Sequence, residues 1–316
     1  MKFNKLLMLD YDKASFGSAQ WQRLKALSKE QVLLPTDDPS LQSHLQTADC
    51  LLVKLGAKVN KTLIDKMPSL RYIGILGTGY GRIDSSYAAS KGIAVCNIAG
   101  YSTESVSEFV FALILEHLRE LSRAKAQAAK GLFSEKGFSA SELKGKKFGI
   151  IGLGRIGSRT AEIASSGFGA EVHYWSRQRK GAYEQKGIVY QALEPLLEGS
   201  DLISIHLELN KGTERILDAE KIKKIKPGAL VLNLSPMELI DIKALAARLE
   251  KGDLFFITDH ADELDLEEAK LLSSFPTCTL YPAIGYISKE ATQAKMGMFV
   301  DNLENFLKGK PTNKVN

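Results

Sequence analysis

Three glycines, Gly152, Gly154 and Gly157, stand directly after the apolar run Phe148–Ile151 and directly before a segment of helical periodicity. Of all the features of this chain, that order narrows the possible folds most. A strand, a tight turn and a helix satisfy it. The first glycine permits the turn, the second lets backbone approach a pyrophosphate, and the third lets the helix pack closely on the strand. Arg155 and Ile156 lie between them, where the opening N–H groups of a helix would meet an anion. Glycines at this spacing also occur in ordinary turns; the flanking strand and helix are what point to a dinucleotide.

The residues that follow bear on which dinucleotide. A helix over Ser158–Gly167 and a strand over Glu171–Trp175 complete a βαβ unit, and the strand runs into Ser176, Arg177, Gln178, Arg179 and Lys180. An NAD site usually carries an acid about 20 residues past the glycines, to accept from the ribose 2′-OH. Here 176 − 157 = 19, and the residue is a serine. A 2′-phosphate would be repelled by an acid but gripped by Ser176 and by the guanidinium forks of Arg177 and Arg179. NADP is therefore preferred to NAD, although a solvated basic turn would read the same way.

With 44% hydrophobic and 25% charged residues among 316, the chain can bury a sizeable core in one large or two medium domains. Its net charge of +5 is spread without basic blocks, so nucleic acid is not implied. Cys50, Cys96 and Cys278 lie in or beside apolar segments without metal-type spacing, and are expected as buried free thiols in a reducing cytoplasm, with no metal. The apolar run Leu6–Leu9 is too short for a signal peptide or a membrane span.

The N-terminal part alternates short apolar runs, Leu6–Leu9, Val32–Leu34, Cys50–Val53, Tyr72–Leu76 and Ile93–Cys96, with helical segments. That alternation predicts a parallel sheet. Gly77, Gly79 and Gly81 also follow a strand but lack a third glycine at the right offset, and read as a loop facing a cleft. One long helix is expected over Ser102–Lys130. Later strands are expected at Asp201–His206, Ala229–Leu234, Leu254–Thr258 and Thr279–Tyr281, helices near Asp218–Lys224, Asp241–Glu250 and Glu267–Leu272, and a last helix over Ser288–Leu307. The fold class is α/β: two Rossmann-like domains with doubly wound parallel sheets. A flavodoxin-like substrate domain, residues 1–100 plus 287–316, would be split by an NAD(P)-binding Rossmann domain, residues 101–286.

The blocks Leu51–Lys54, Gly77–Asp84, Asn97–Val106, Leu143–Gly157, Asp201–His206 and Lys226–Asn233, in this order, resemble the D-isomer-specific 2-hydroxyacid dehydrogenases over nearly the whole chain. The resemblance implies a homodimer built through the long helix and its flanking arm. It also implies that backbone N–H groups of Leu76, Gly77, Thr78 and Gly79 hold a substrate carboxylate, that an arginine clamps it, and that a histidine oriented by a glutamate moves the proton accompanying hydride transfer. His206, Asn233, Leu234 and Ser235 would line the cofactor, and Asp259 would meet the nicotinamide amide.

The chain departs from that pattern at the chemistry. Pro236 falls where the family has its arginine and Ala283 where it has its histidine. Leu264 falls at the glutamate, unless a one-residue shift brings Glu263 there. Loss of two such groups, each worth about 10² to 10⁴ in rate, should reduce ordinary 2-hydroxyacid turnover to near nothing. Two readings remain open. One is an NADP-preferring oxidoreductase with a non-standard substrate, whose replacement proton donor is Tyr286, Tyr281, His260 or Tyr101 and whose substrate either lacks a 2-oxo carboxylate or holds it through Lys54 and backbone N–H groups. The other is a catalytically inactive NADP(H)-binding protein acting as sensor or partner subunit. Each candidate has a plainer alternative: a tyrosine beside a strand end is more often a packed ring, and a lone histidine a surface or core residue.

Overall fold

A computed structural model describes residues 1–316. The chain divides into two compact units, one of Met1–Ser102 with Ser288–Asn316, the other of Thr103–Ile287.

The first unit is built on a five-stranded parallel sheet of β1 (Phe3–Leu9), β2 (Ser28–Leu34), β3 (Cys50–Lys54), β4 (Tyr72–Leu76) and β5 (Ala94–Cys96), in the order β2-β1-β3-β4-β5. This is the flavodoxin-like order. The central strands are apolar at almost every position because both faces are covered, as parallel sheets require. Leu7, Leu51 and Ile73 pack on one face, Leu6, Leu52 and Tyr72 on the other. The last helix, Lys289–Leu307, is capped by Ser288, whose Oγ accepts from Ala291 N at 2.9 Å. It returns to this unit, where Asn302 donates to Asn97 O at 2.7 Å.

The second unit holds seven parallel strands: β6 (Lys147–Ile151), β7 (Glu171–Trp175), β8 (Val189–Tyr190), β9 (Leu202–Ile205), β10 (Leu230–Asn233), β11 (Phe255–Thr258) and β12 (Cys278–Leu280). Their order is β12-β11-β10-β9-β6-β7-β8. Sequence order reverses between β6 and β9, and ligands of such sheets bind at the carboxyl ends beside that switch point. Ile150 and Phe148 pack toward the helix Thr103–Leu118, and Ile151, Ile203 and Val231 toward the other layer.

Four sequence expectations need correction. The helix expected over Ser102–Lys130 is two, Thr103–Leu118 and Leu121–Ala128. Glu120 breaks it by adopting a left-handed conformation (φ 51°), which its carboxylate stabilises by accepting from Ser139 N and Arg123, both at 2.5 Å. The helix after the glycines begins at Arg155, not Ser158, and its α-helical part ends at Glu162; Ile163–Gly167 forms a π turn. The strand expected at Val32–Leu34 extends back to Ser28, since an edge strand tolerates the polar run Lys29–Gln31 that hid it. Cys278 is half-buried rather than buried, because β12 is the sheet edge. No helix is long and apolar enough to cross a membrane.

Candidate functional site

Each glycine of the fingerprint has its own physical reason. Gly152 has φ 101°, and a Cβ there would lie 2.5 Å from His206 O; side chains disfavour that backbone region. A Cβ on Gly157 would lie 2.0 Å from Gly152 O, so the helix reaches the strand only without one. Gly154 is different: nothing in the protein lies within 4 Å of a Cβ built on it. The cradle is open at that residue, which is where a pyrophosphate would need the space. The first intrahelical bond runs from Ser158 N to Gly154 O, so the N–H groups of Arg155, Ile156 and Gly157 lack intrahelical acceptors. They fit a dinucleotide phosphate.

At the end of β7, Ser176 is buried and its hydroxyl donates to Gln178 O. Arg179 is paired with Glu184 at 2.5 Å and lies over the Tyr190 ring, while Tyr174 donates to the same carboxylate at 2.8 Å. Arg177 is exposed and makes no part of that pair. At the end of β9, burial pushes the His206 imidazole down to about 3, so it is neutral, with Nε2 2.9 Å from Ser204 Oγ.

The ends of β10 and β11 form the other part of the site. Asn233 is fully buried; its Nδ2 donates to Ser235 O at 2.8 Å, and its Oδ1 meets no donor. Leu234 and Ser235 are also buried, and Ser235 Oγ donates to Ile205 O at 3.0 Å, tying this loop to β9. Asp259, 3% exposed, accepts from Gly285 N through Oδ2 at 2.8 Å, and its Oδ1 likewise meets no donor. Burial raises the Asp259 carboxyl above its ordinary value, against opposing contributions from His260 and Gly285 N. These are two buried acceptors on adjacent strand ends. Each costs about 1–3 kcal/mol when unpaired, and together they suit the two N–H groups of a carboxamide.

Three segments converge beside this pair. Pro236 is half-buried and precedes Met237, whose N–H donates to Glu263 Oε2 at 2.9 Å. Glu263 Oε1 lies 3.2 Å from His260 Nδ1, and His260 Nε2 is 3.8 Å from Asp259 Oδ1. Burial alone would lower the His260 imidazole; the Glu263 hydrogen bond and charge, with Asp259 and Asp262, more than offset it and raise it. Leu264 turns the other way and packs half-buried in the core that holds Ile151 and Val231. Glu263 was legible only as the one-residue alternative, because a short 3-10 turn, Ala261–Glu263, decides which of the two faces the loop.

Ala283 is half-buried, in a segment pinned by Gly285. Gly285 O accepts from Ser105 Oγ at 2.8 Å, and a Cβ on Gly285 would come 2.7 Å from Asp259 Oδ2. Neither Gly285 nor Ser105 carried a sequence signal beyond its place in a matched block. Tyr281 is held elsewhere: its hydroxyl donates to Glu116 Oε2 at 3.0 Å, its ring meets Phe109 edge-on, and its phenol is raised by burial and by Glu116. Tyr286 is exposed.

In the first unit, Leu76 and Gly77 are buried, Gly77 O accepts from Ile98 N, and Thr78 O accepts from Asn97 Nδ2 at 2.6 Å. Gly79 follows, half-buried. Lys54 is exposed with Nζ 5.5 Å from the centre of the Tyr11 ring. Lys295 lies over Tyr101 at 5.8 Å and is lowered by burial and then by the Lys54 charge.

Comparison with known proteins agrees with this geometry. Residues 111–285 match the family described as D-isomer specific 2-hydroxyacid dehydrogenase, NAD binding domain. A hydroxypyruvate reductase of Blautia hydrogenotrophica is 33% identical over 99% of both chains. Among solved structures, an acyclic imino acid reductase in complex with NADPH and D-arginine superposes with a TM-score of 0.88 at 27% identity, covering 99% of this chain and all of the other. An NADPH-dependent glyoxylate/hydroxypyruvate reductase of Sinorhizobium meliloti, in complex with NADP and malonate, does so with 0.84 at 26% identity, covering 99% and 96%. The glycine cradle, the strand order and these matches together make this chain a member of the D-isomer-specific 2-hydroxyacid dehydrogenase family, with an NAD(P)-binding domain in its second unit.

Proposed function

We propose that this chain is a reductase that takes hydride from NADPH, in preference to NADH, and delivers it to a carbon doubly bonded to oxygen or nitrogen. One observation carries the reading: Asn233 Oδ1 and Asp259 Oδ1 are both buried without a donor on adjacent strand ends. A protein that only reported cofactor occupancy through its phosphates would gain nothing from keeping that pair, whose cost falls away when a carboxamide donates to it. Ser176 and Arg177 support the phosphorylated cofactor, since the residue 19 past Gly157, where an NAD site usually carries an acid, is a serine. The hydroxypyruvate and imino acid reductases among its likenesses are consistent with small 2-oxo or 2-imino acids as substrates.

The competing reading is a binding protein without turnover, and it is favoured by Pro236 and Ala283 at the positions the resemblance gives to the arginine and the proton donor. Mixing the protein with NADPH and a panel of 2-oxo acids, aldehydes, quinones and imines, and following the absorbance of the reduced nicotinamide, separates the two. Turnover of any member supports the reductase. Tight NADPH binding by fluorescence with no turnover across the panel establishes the sensor instead. A homodimer is also proposed, on Leu132 and Phe133, which are 57% and 84% exposed just beyond the helix Leu121–Ala128. Large apolar side chains left open side by side suit an interface.

A further inference from the structure

Reduction of a carbonyl leaves an alkoxide, so it needs an acid within reach of the oxygen. Ala283 offers only a methyl there, and Tyr281 is committed: its hydroxyl donates to Glu116 Oε2 at 3.0 Å, and burial with that carboxylate makes it a weaker acid. Tyr286 is exposed, and Tyr101 belongs to the first unit. His260 is placed differently. A 3-10 turn stacks residues three apart on one side, and the turn Ala261–Glu263 follows His260, with Glu263 N donating to His260 O at 3.1 Å. Glu263 Oε1 therefore stands 3.2 Å from His260 Nδ1, while Leu264 turns into the core. The carboxylate is itself held, because its Oε2 accepts from Met237 N at 2.9 Å. Pro236, whose ring locks φ, sits at −51° just before that N–H. With the His260 N–H donating to Thr258 Oγ1 at 3.1 Å, the imidazole is held from its backbone and from Nδ1. Nε2 is left for a substrate. It lies 3.8 Å from Asp259 Oδ1 on a side chain that is 24% exposed, beyond hydrogen-bond distance of that carboxylate.

We propose that His260 is the proton donor of this reductase, acting through Nε2, and that Glu263 is its positioning residue. The inference rests on the reductase reading and assigns two residues of that same site. The nicotinamide carbon that gives up hydride adjoins the one bearing the carboxamide, so a nitrogen beside Asp259 Oδ1, the proposed carboxamide acceptor, stands at the reacting end. Hydride from NADPH forms the new C–H bond, the π electrons of the C=O bond pass to oxygen, and oxygen takes the proton from Nε2. The products are the alcohol, the oxidised cofactor and a neutral imidazole, which recovers its proton from water at the exposed part of the ring. Burial opposes the charged imidazole; Glu263, then Asp259 and Asp262, favour it and prevail. The acid form is thus populated near neutral pH, as a general acid requires.

The test uses the intact protein with NADPH and the member of the 2-oxo acid and aldehyde panel that it reduces fastest. His260→Gln should lower kcat by about 10²-fold or more and leave the NADPH dissociation constant unchanged. A fall smaller than about threefold overturns the assignment and leaves the reductase reading standing. Turnover confined to imines, whose protonated nitrogen needs no donor, does the same. No turnover of any member, while NADPH still binds, removes both. Glu263 is tested through pH: kcat/KM should fall as pH rises through the His260 value, and Glu263→Gln, which keeps an acceptor for Met237 N, should move that fall to lower pH. A profile that Glu263→Gln leaves in place overturns the positioning role. Binding supplies a readout without turnover. Oxamate, whose amide carbonyl accepts a hydrogen bond but takes no hydride, should bind the NADPH-loaded protein less tightly as pH rises through the same value, by up to about tenfold per pH unit. In His260→Gln that dependence should vanish; a dependence unchanged in His260→Gln, or absent from the unsubstituted protein, overturns the proposal.

Discussion

The two ends of the proposed cofactor site are built by different means. At the phosphate end, backbone does the work: Gly152, Gly154 and Gly157 matter for the side chains they lack, and the helix opening at Arg155 supplies N–H groups whatever its sequence. At the end of β10 and β11, side chains do it, and each depends on a neighbour: Asn233 on Ser235, Asp259 on Gly285, Glu263 on Met237 and His260. A backbone site survives substitution of most of its residues, whereas a side-chain site changes its chemistry when two are exchanged. The family's cofactor binding and its reaction can therefore part company within one domain.

The largest effect is expected from breaking the backbone end. Gly157→Ala puts a Cβ 2.0 Å from Gly152 O. Relieving such overpacking costs about 3 kcal/mol, roughly a hundredfold in an equilibrium constant. The apo protein should lose thermal stability and NADPH binding together. Gly154→Ala has open space around it, so calorimetric unfolding of the apo protein should be unchanged while NADPH affinity falls. If Gly154→Ala leaves NADPH affinity intact, the pyrophosphate does not lie on that cradle.

The side-chain end should respond by changing substrate rather than by losing the cofactor. Pro236→Arg with Ala283→His, with Glu263 already on the loop side, restores the expected clamp and proton donor, and reduction of glyoxylate should rise by about 10²-fold or more. NADPH affinity should stay as it was; its loss would mean that Pro236 and Ala283 have been matched to the wrong positions. A smaller change is expected at the basic turn. Arg177→Ala should weaken NADPH by about tenfold and NADH hardly at all, as loss of one charge-assisted contact implies. Arg179→Ala should discriminate less, since Glu184 holds that guanidinium. Equal weakening of both cofactors by Arg177→Ala would count against the 2′-phosphate reading.

The difference between the ends also decides what could be read from the chain beforehand. Tyr72–Leu76 and Glu171–Trp175 were legible to the residue, because strands inside a parallel sheet are rich in apolar residues and flanked by turn residues. The strand, turn and helix that carry the proposed phosphate cradle were legible because they are local: six consecutive residues, Gly152 to Gly157, contain the turn. The carboxyl-end residues were named only by the resemblance and their contacts were not legible, since Glu263 reaches Met237 across 26 residues and Gly285 reaches Asp259 across another 26. Choosing between Glu263 and Leu264 needed the path of a single 3-10 turn. The break at Glu120 was hidden for a similar reason, because its left-handed backbone is held by Ser139, far along the chain. Val189–Tyr190 is two residues long, too short to show any period.

Two histidines at strand ends allow the finest test, because their surroundings drive them in opposite directions. Burial holds His206 neutral down to about 3, while Glu263, Asp259 and Asp262 raise His260 above its ordinary value despite burial. Ring-proton NMR of the apo protein should show His260 titrating above about 6.5 and His206 not titrating across the neutral range. A raised folded-state value means that the imidazolium is favoured by folding. Its contribution to stability is then complete below the unfolded value of about 6.5 and is lost as pH rises through the folded one. Glu263→Gln should bring His260 down toward that ordinary value, so the stability gap between the two proteins should be widest below about pH 6 and narrow at higher pH, a change of about 1 kcal/mol or less. A His260 resonance unmoved by Glu263→Gln would show that the imidazole is not charged by its neighbour, and that the His260–Glu263 contact does not set its titration.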